Sequence, residues 1–224
     1  MIFKKTIKAL LRWVLFRNEE KIVVASNGRA GSTMLFEAIT RSYIQHRFHL
    51  NSTSYIGDKL AKLASNYCDR LADIRKTNAA VIKTHALWDG CAEPGVKYLF
   101  VHGDPLDSAL SVAGMVDKLG EDWFKEHLYH LESKGGELVD LFQSDVLNYE
   151  NEIVSWSGAK DDAVLCVAYE QLWEMVSKIS EHVGFDVRLP EFIPRPVKAS
   201  KVAVNQPLFD ELRRIRKAVF NMEL

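Results

Sequence analysis

Four short apolar runs, each followed by a stretch of helical periodicity, constrain this chain more than any other feature. Lys21–Ser26 (KIVVAS), Ala79–Lys83 (AAVIK), Lys97–Val101 (KYLFV) and Ala163–Ala168 (AVLCVA) are apolar and rich in β-branched residues. They read as strands buried on both faces. Helical spacing follows at 32–43, at 57–76, after Pro105, over 121–157 with a break near Gly135-Gly136, from about Glu170 to Val183, and at 207–221. Strands alternating with helices predict an α/β fold: one domain with a parallel β-sheet flanked by helices on both faces. At 224 residues and 47% hydrophobic content the chain can bury one such core. No repeat or linker divides it, so we expect an N-terminal helix within residues 1–20 and one domain over 21–224.

In sheets of this kind ligands gather beyond the carboxyl ends of the strands, so the residues just after each strand matter most. The first strand runs into Asn27-Gly28-Arg29-Ala30-Gly31-Ser32-Thr33, which opens a helix. Glycines let backbone N–H groups turn toward an anion. The helix N-terminus adds partial positive charge, Arg29 adds a full one, and Ser32 and Thr33 offer hydroxyls. Strand, loop, helix and in-loop arginine together favour anion binding over an ordinary tight turn. The loop is not a Walker A motif, because no lysine stands beside Gly31: Ala30 precedes it and Ser32 follows it. Nor does any apolar strand end directly in an aspartate to hold magnesium, since Asp104 lies beyond His102 and Gly103.

The net charge of −1 argues against a general nucleic-acid partner. Three cysteines, Cys68, Cys91 and Cys166, have no ligand spacing and point to a reducing, cytoplasmic setting without a disulfide framework or zinc site. No run is long enough to span a bilayer. Residues 1–16 form an amphipathic pattern. Phe3, Ile7, Leu10, Leu11, Val14 and Leu15 lie on one face, and Lys4, Lys5, Lys8 and Arg12 mostly on another. Arg12 interrupts any signal-peptide core. Packing on the domain is the preferred reading of this helix, and contact with an anionic membrane surface is the alternative.

The loop Gly28–Thr33, GRAGST, resembles the first loop of the PAPS-dependent sulfotransferases, typically P-K-S-G-T-T or G-R-S-G-S-T. It differs from the second form only at Ala30. PAPS is 3'-phosphoadenosine 5'-phosphosulfate, and its product is PAP. The resemblance implies a P-loop NTPase-like sulfotransferase fold, with Gly28, Arg29, Ala30, Gly31, Ser32 and Thr33 gripping the 5'-phosphosulfate. Lys83-Thr84-His85 after the second strand is similar to the family's K-T-H motif, whose histidine is the catalytic base in cytosolic members. The residue types suit the chemistry. Histidine can take a hydroxyl proton near neutral pH, and Lys83 and Arg29 can hold charge on the leaving oxygen. The resemblance therefore gives His85, Lys83 and Arg29 catalytic roles, and it requires no metal.

The segment from His102 to Ser111 resembles the family's R-[ND]-P-x-D-x-A-x-S, which binds the cofactor's 3'-phosphate through its arginine and final serine. Asp104, Pro105, Asp107, Ala109 and Ser111 align, but Gly103 stands in place of the arginine. The lost guanidinium removes a bidentate phosphate contact, which His102 or a lysine from elsewhere would have to replace. Tyr169-Glu170 resembles the family's Y-E step near the nucleotide. Residues 197–208 resemble a cofactor-covering loop, with Lys198, Ser200 and Lys201 as candidates for the missing cation. Arg213, Arg214, Arg216 and Lys217 read as a solvated helix face. The resemblance runs in motif order over residues 21–208.

The sequence does not identify the acceptor. Both a small molecule and a carbohydrate fit, and the form of the GRAGST loop favours a sugar hydroxyl. Trp88, Trp123, Phe124 and Tyr129 are aromatic candidates for stacking on it. Two other functions are open: a P-loop kinase or NTPase, against which the missing lysine counts, and a non-catalytic nucleotide-binding homologue, which Gly103 would suit.

Overall fold

The computed structural model describes residues 2–51, 53–193 and 203–222. The candidates Lys198, Ser200 and Lys201 lie outside the described residues. In chain order the elements are α1 (Ile2–Phe16), β1 (Lys21–Ser26), α2 (Ser32–Phe48), α3 (Tyr55–Ala64), β2 (Ser65–Tyr67) and β3 (Val81–Thr84). There follow β4 (Val96–His102), α4 (Pro105–Leu119), α5 (Glu121–His130), α6 (Tyr149–Ser157), β5 (Val164–Ala168), α7 (Val176–Val183) and α8 (Gln206–Phe220). The strands form one sheet in the order β2-β3-β1-β4-β5, with every pairing parallel.

Alternate residues of each strand feed two cores, one on each face, as a doubly covered sheet requires. Val23, Ala25, Ile82, Tyr98 and Phe100 pack with side chains of α4, α6 and α8, where Trp156 is fully buried. Ile22, Val24, Val81, Leu99 and Val101 pack with α2 and α7, around Leu35, Ile39 and Ile179. The expected architecture of a parallel sheet between two helical layers is what the chain adopts.

Three expected helices differ. The stretch 57–76 is helical only to Ala64. Ser65–Tyr67 then pairs with β3 as an edge strand, Ser65 beside Val81, and a 3₁₀ turn covers Leu71–Lys76. Hydrogen bonding to an open sheet edge outweighed helix propensity here. The stretch 121–157 breaks at the expected Gly135-Gly136, but the break is wide, running from His130 to Tyr149 with a 3₁₀ turn at Leu138–Phe142. After β5 only a 3₁₀ turn, Tyr169–Gln171, precedes α7 at Val176, rather than one helix from Glu170.

Helix α1 also departs from the preferred expectation of an apolar face turned onto the domain. Phe16 is buried against Tyr43 and Phe48, and Arg12 donates to the carbonyls of Leu63 and Ser65 and to Asn66 Oδ1. Ile7, Leu10, Leu11, Trp13 and Val14 are exposed. No helix among the described residues is long and apolar enough to cross a membrane.

The sheet order puts the switch point at β1, which has β3 on one side and β4 on the other. Ala25 pairs with Thr84 and Ser26 with Val101, so Asn27 and His85 leave β1 and β3 within one residue of the level of His102, the last residue of β4. The loop after β1 therefore lies between the carboxyl ends of its two neighbours.

Candidate active site

The loop after β1 is held open by backbone conformation. Gly28, Arg29 and Gly31 have φ of 71°, 53° and 81°. Successive left-handed residues turn N–H groups toward a common point, which makes an anion cradle. At Gly31 the glycine has a second reason. A Cβ there would come within 2.4 Å of the Tyr169 ring, which lies against the loop. Ser32 is buried and accepts a hydrogen bond from Ser26 Oγ (2.7 Å), tying the first turn of α2 back to β1.

On the β3 side, Arg29, Thr33, Tyr67, Lys83, His85, Trp123, His127 and His130 line a cavity of about 250 Å³. Lys83 Nζ donates to Thr33 Oγ1 (2.7 Å). Burial, and secondly the neighbouring Arg29 charge, lower the Lys83 pKa to about 8. His85 Nδ1 lies 2.8 Å from the carbonyl of Ser26. A carbonyl can only accept, so Nδ1 carries the proton and Nε2 keeps its lone pair. Burial first, then Lys83, bring the His85 pKa down to about 4, so the ring is neutral at physiological pH. Lys83, His85 and Arg29 thus share one cavity, as the sequence reading expected of them.

His127 and Tyr67 also line this cavity, and the sequence reading missed both. The His127 ring stands perpendicular to His85 with centroids 5.9 Å apart, stacks on Trp123, and packs over Gly28, whose Cβ would be 3.2 Å from it. Its Nε2 is buried without a hydrogen-bond partner, and burial lowers its pKa to about 3. The signal for Tyr67 was hidden in a stretch read as helix. Of the proposed acceptor aromatics only Trp123 lines the cavity. Trp88 packs on Tyr98 and Trp156, Phe124 is core, and Tyr129 is exposed.

On the β4–β5 side a second cavity of about 310 Å³ is bordered by Arg29, Ala30, Gly103, Asp104, Asp107, Ser108, Tyr169, Glu170 and Phe192. The two departures from the family pattern meet here, since a Cβ on Gly103 would touch the Ala30 Cβ at 3.4 Å. Arg29 Nε donates to Ser111 Oγ (3.0 Å), which links the loop to α4. Asp104 caps α4, accepting from the amides of Leu106 and Asp107, with Pro105 at the first helical position.

The expected solvated face of α8 is wired into this wall instead. Arg213 donates to both carboxylate oxygens of Asp104 (2.6 and 3.1 Å). Arg216 is buried, donating to Glu170 Oε2 (2.6 Å) and to His102 Nδ1 (2.8 Å). Arg214, paired at the surface with Glu211, and the exposed Lys217 keep the expected solvated character. The arginines turned inward because α8 closes over the carboxyl end of β4, where a guanidinium taken out of water demands a partner. His102, proposed to replace the missing arginine, is buried beneath Arg216 and stacks on Phe220 at 4.0 Å. It does not border the cavity. Among the described residues, no group of three or more His, Cys, Asp or Glu side chains is placed to hold a metal ion.

No family model and no curated protein matches this chain. Solved structures similar to it include mouse sulfotransferase SULT7A1 complexed with PAP, at 14% identity over 96% of this chain and 70% of that one, with a TM-score of 0.41. Retinol dehydratase with androsterone and inactive cofactor PAP matches at 15% identity over 95% and 69%, TM-score 0.43. Retinol dehydratase with retinol and PAP matches at 15% over 95% and 69%, TM-score 0.46. At these values the likeness assigns neither a family nor an activity.

Proposed function

We propose that this chain is a sulfotransferase that moves a sulfuryl group from PAPS to an acceptor hydroxyl. The observation that carries the reading is the His85 ring. Its Nδ1 proton is committed to Ser26, and its Nε2 lone pair lies in a cavity shared with Lys83 and Arg29, beside an anion cradle. That is the equipment for taking a proton next to a developing negative charge. The residues present fit the 5'-phosphosulfate end of PAPS, which supplies the sulfuryl group. Arg29, Thr33 and the amides of Gly28, Ala30 and Gly31 hold this end. His85 accepts the hydroxyl proton as the acceptor oxygen bonds to sulfur and the bond from sulfur to the bridging oxygen breaks. Lys83 meets the charge left on that oxygen, so the balancing of charge is assigned to side chains and amides.

Toward the nucleotide, Tyr169 flanks the loop and Ser111 stands behind Arg29. Lys198, Ser200 and Lys201 keep their proposed phosphate contacts on the strength of the sequence resemblance alone. For the acceptor we favour a sugar hydroxyl. The GRAGST form of the loop supports this, and Trp123 and the buried Nε2 of His127 offer a ring face and a polar contact in the cavity. We also propose that residues 1–16 contact a membrane. The test of the activity is transfer of labelled sulfate from PAPS across a panel of sugar and small-molecule alcohols, with PAP, AMP and ATP compared by calorimetry with and without magnesium. PAP preferred without magnesium, together with labelled product, is the expected result. ATP preferred with magnesium would make the chain a kinase-type enzyme. PAP binding with no transfer to any acceptor would make it a non-catalytic binder.

A further inference from the structure

Helix α1 is mounted inside out for a helix of a water-surrounded domain. The side chains holding it down include a cation, one aromatic ring and the half-buried Leu15, which packs against the core. Arg12 reaches the carbonyls of Leu63 and Ser65, and Phe16 enters the core beside Tyr43. The apolar stripe points the other way. Ile7 is 43% exposed, Leu10 60%, Leu11 42%, Trp13 46% and Val14 59%. A contiguous exposed apolar patch of this kind marks a surface that something covers.

Charge identifies the cover. The first 18 residues contain Lys4, Lys5, Lys8, Arg12 and Arg17 and no Asp or Glu, in a chain whose net charge is −1. At 3.6 residues per turn Ile7, Leu10, Leu11 and Val14 share one face, with Lys8 on one flank and Arg17 on the other. The Arg17 guanidinium sits over the Trp13 ring at 4.1 Å. Apolar residues in the middle, cations on both flanks and a tryptophan at the edge form the pattern of a helix lying in a lipid headgroup layer.

We propose that α1 docks the protein flat on an anionic lipid surface. The stripe from Ile7 to Val14 enters the acyl boundary, and Lys8 and Arg17 meet the headgroups. Because Arg12 and Phe16 hold the helix from the opposite side, docking requires no refolding of the domain. This deepens the proposed membrane contact by naming its lipid and its orientation, and it is independent of whether the chain transfers sulfate.

The test is flotation of the full chain with phosphatidylcholine vesicles, with and without about 30% phosphatidylserine. Binding is expected only to the anionic vesicles and should weaken with salt. The double variant Leu10→Asp, Val14→Asp should lose it, and Lys8→Glu with Arg17→Glu should weaken it at least about tenfold. All four positions carry exposed or flanking side chains, and an unchanged circular dichroism spectrum and melting curve identify folded variants. If folded wild-type chain fails to float with anionic vesicles, the proposal is wrong. If it instead sediments as a dimer that Leu10→Asp, Val14→Asp dissociates, a second copy covers the stripe and the lipid assignment falls. Equal binding to neutral vesicles would overturn the role given to the cations.

Discussion

The two cavities on either side of the β1 loop use their cations in opposite ways. On the β3 side Lys83 bonds a hydroxyl, Thr33, and Arg29 reaches across to another, Ser111. On the β4–β5 side Arg213 and Arg216 bond carboxylates, Asp104 and Glu170. The hydroxyl partner of Lys83 leaves that cation's charge in place, and an arriving anion can displace it at small cost. A carboxylate neutralises the cation and must be desolvated with it before either can meet a phosphate. On the proposed reading, anion affinity belongs to the loop and β3. The wall opened by Gly103 is, by its described residues, a structural joint between α4, β5 and α8.

The largest expected effect tests the β3 side. His85→Ala should lower sulfuryl transfer by about two to four orders of magnitude and leave PAP affinity unchanged. Single-turnover rates with calorimetry would measure both, and near-wild-type transfer would break the contrast by making His85 structural. Its low pKa adds a pH expectation. The base stays neutral until pH falls to about 4, so the acid limb of kcat/KM should lie near 4 rather than 6.5.

Arg29→Ala should weaken PAPS by roughly ten- to a hundredfold and adenosine far less, the difference reporting the charged contact. Equal losses would mean that the loop itself had collapsed. Gly103→Arg then probes the other wall. Its Cβ has ordinary room against Ala30, and a new phosphate contact should tighten PAP by about tenfold while AMP, lacking the 3'-phosphate, gains little. No gain for PAP would show that the carboxylates of this wall, or residues 198–201, already settle the balance there.

The smallest effect is a pH dependence. Lys83 is depressed to about 8, so it is protonated below that pH and neutral above it. PAP affinity should therefore fall severalfold as pH rises through 8, and Lys83→Met should be weaker throughout and lose that dependence. A slope that survives in the variant would place the titrating group elsewhere.

Much of the candidate site is legible in the sequence because its parts are local. A glycine-containing turn that opens a helix, and a lysine and histidine two residues apart at a strand end, carry their chemistry in adjacent positions. The edge strand at 65–67 and the full width of the break around Gly135-Gly136 were not legible, since only the partner strand or the surrounding packing decides such competition.

The chain's periodicity alone determined a parallel sheet between two helical layers, because burial on both faces demands unbroken apolar strands. It also carried the expectation of an anion at the loop after β1, because a helix N-terminus with an in-loop arginine needs no distant partner. Only the tertiary structure decided which groups oppose one another. Position 127 in α5 came to face His85, and Gly103 came to touch Ala30. Arg213 and Arg216 found carboxylates on other elements, and α1 turned its apolar stripe outward. Each of these depends on how elements far apart in sequence cross the carboxyl edge of the sheet or pack at its margin, and a helical face has no intrinsic inside until something is packed against it.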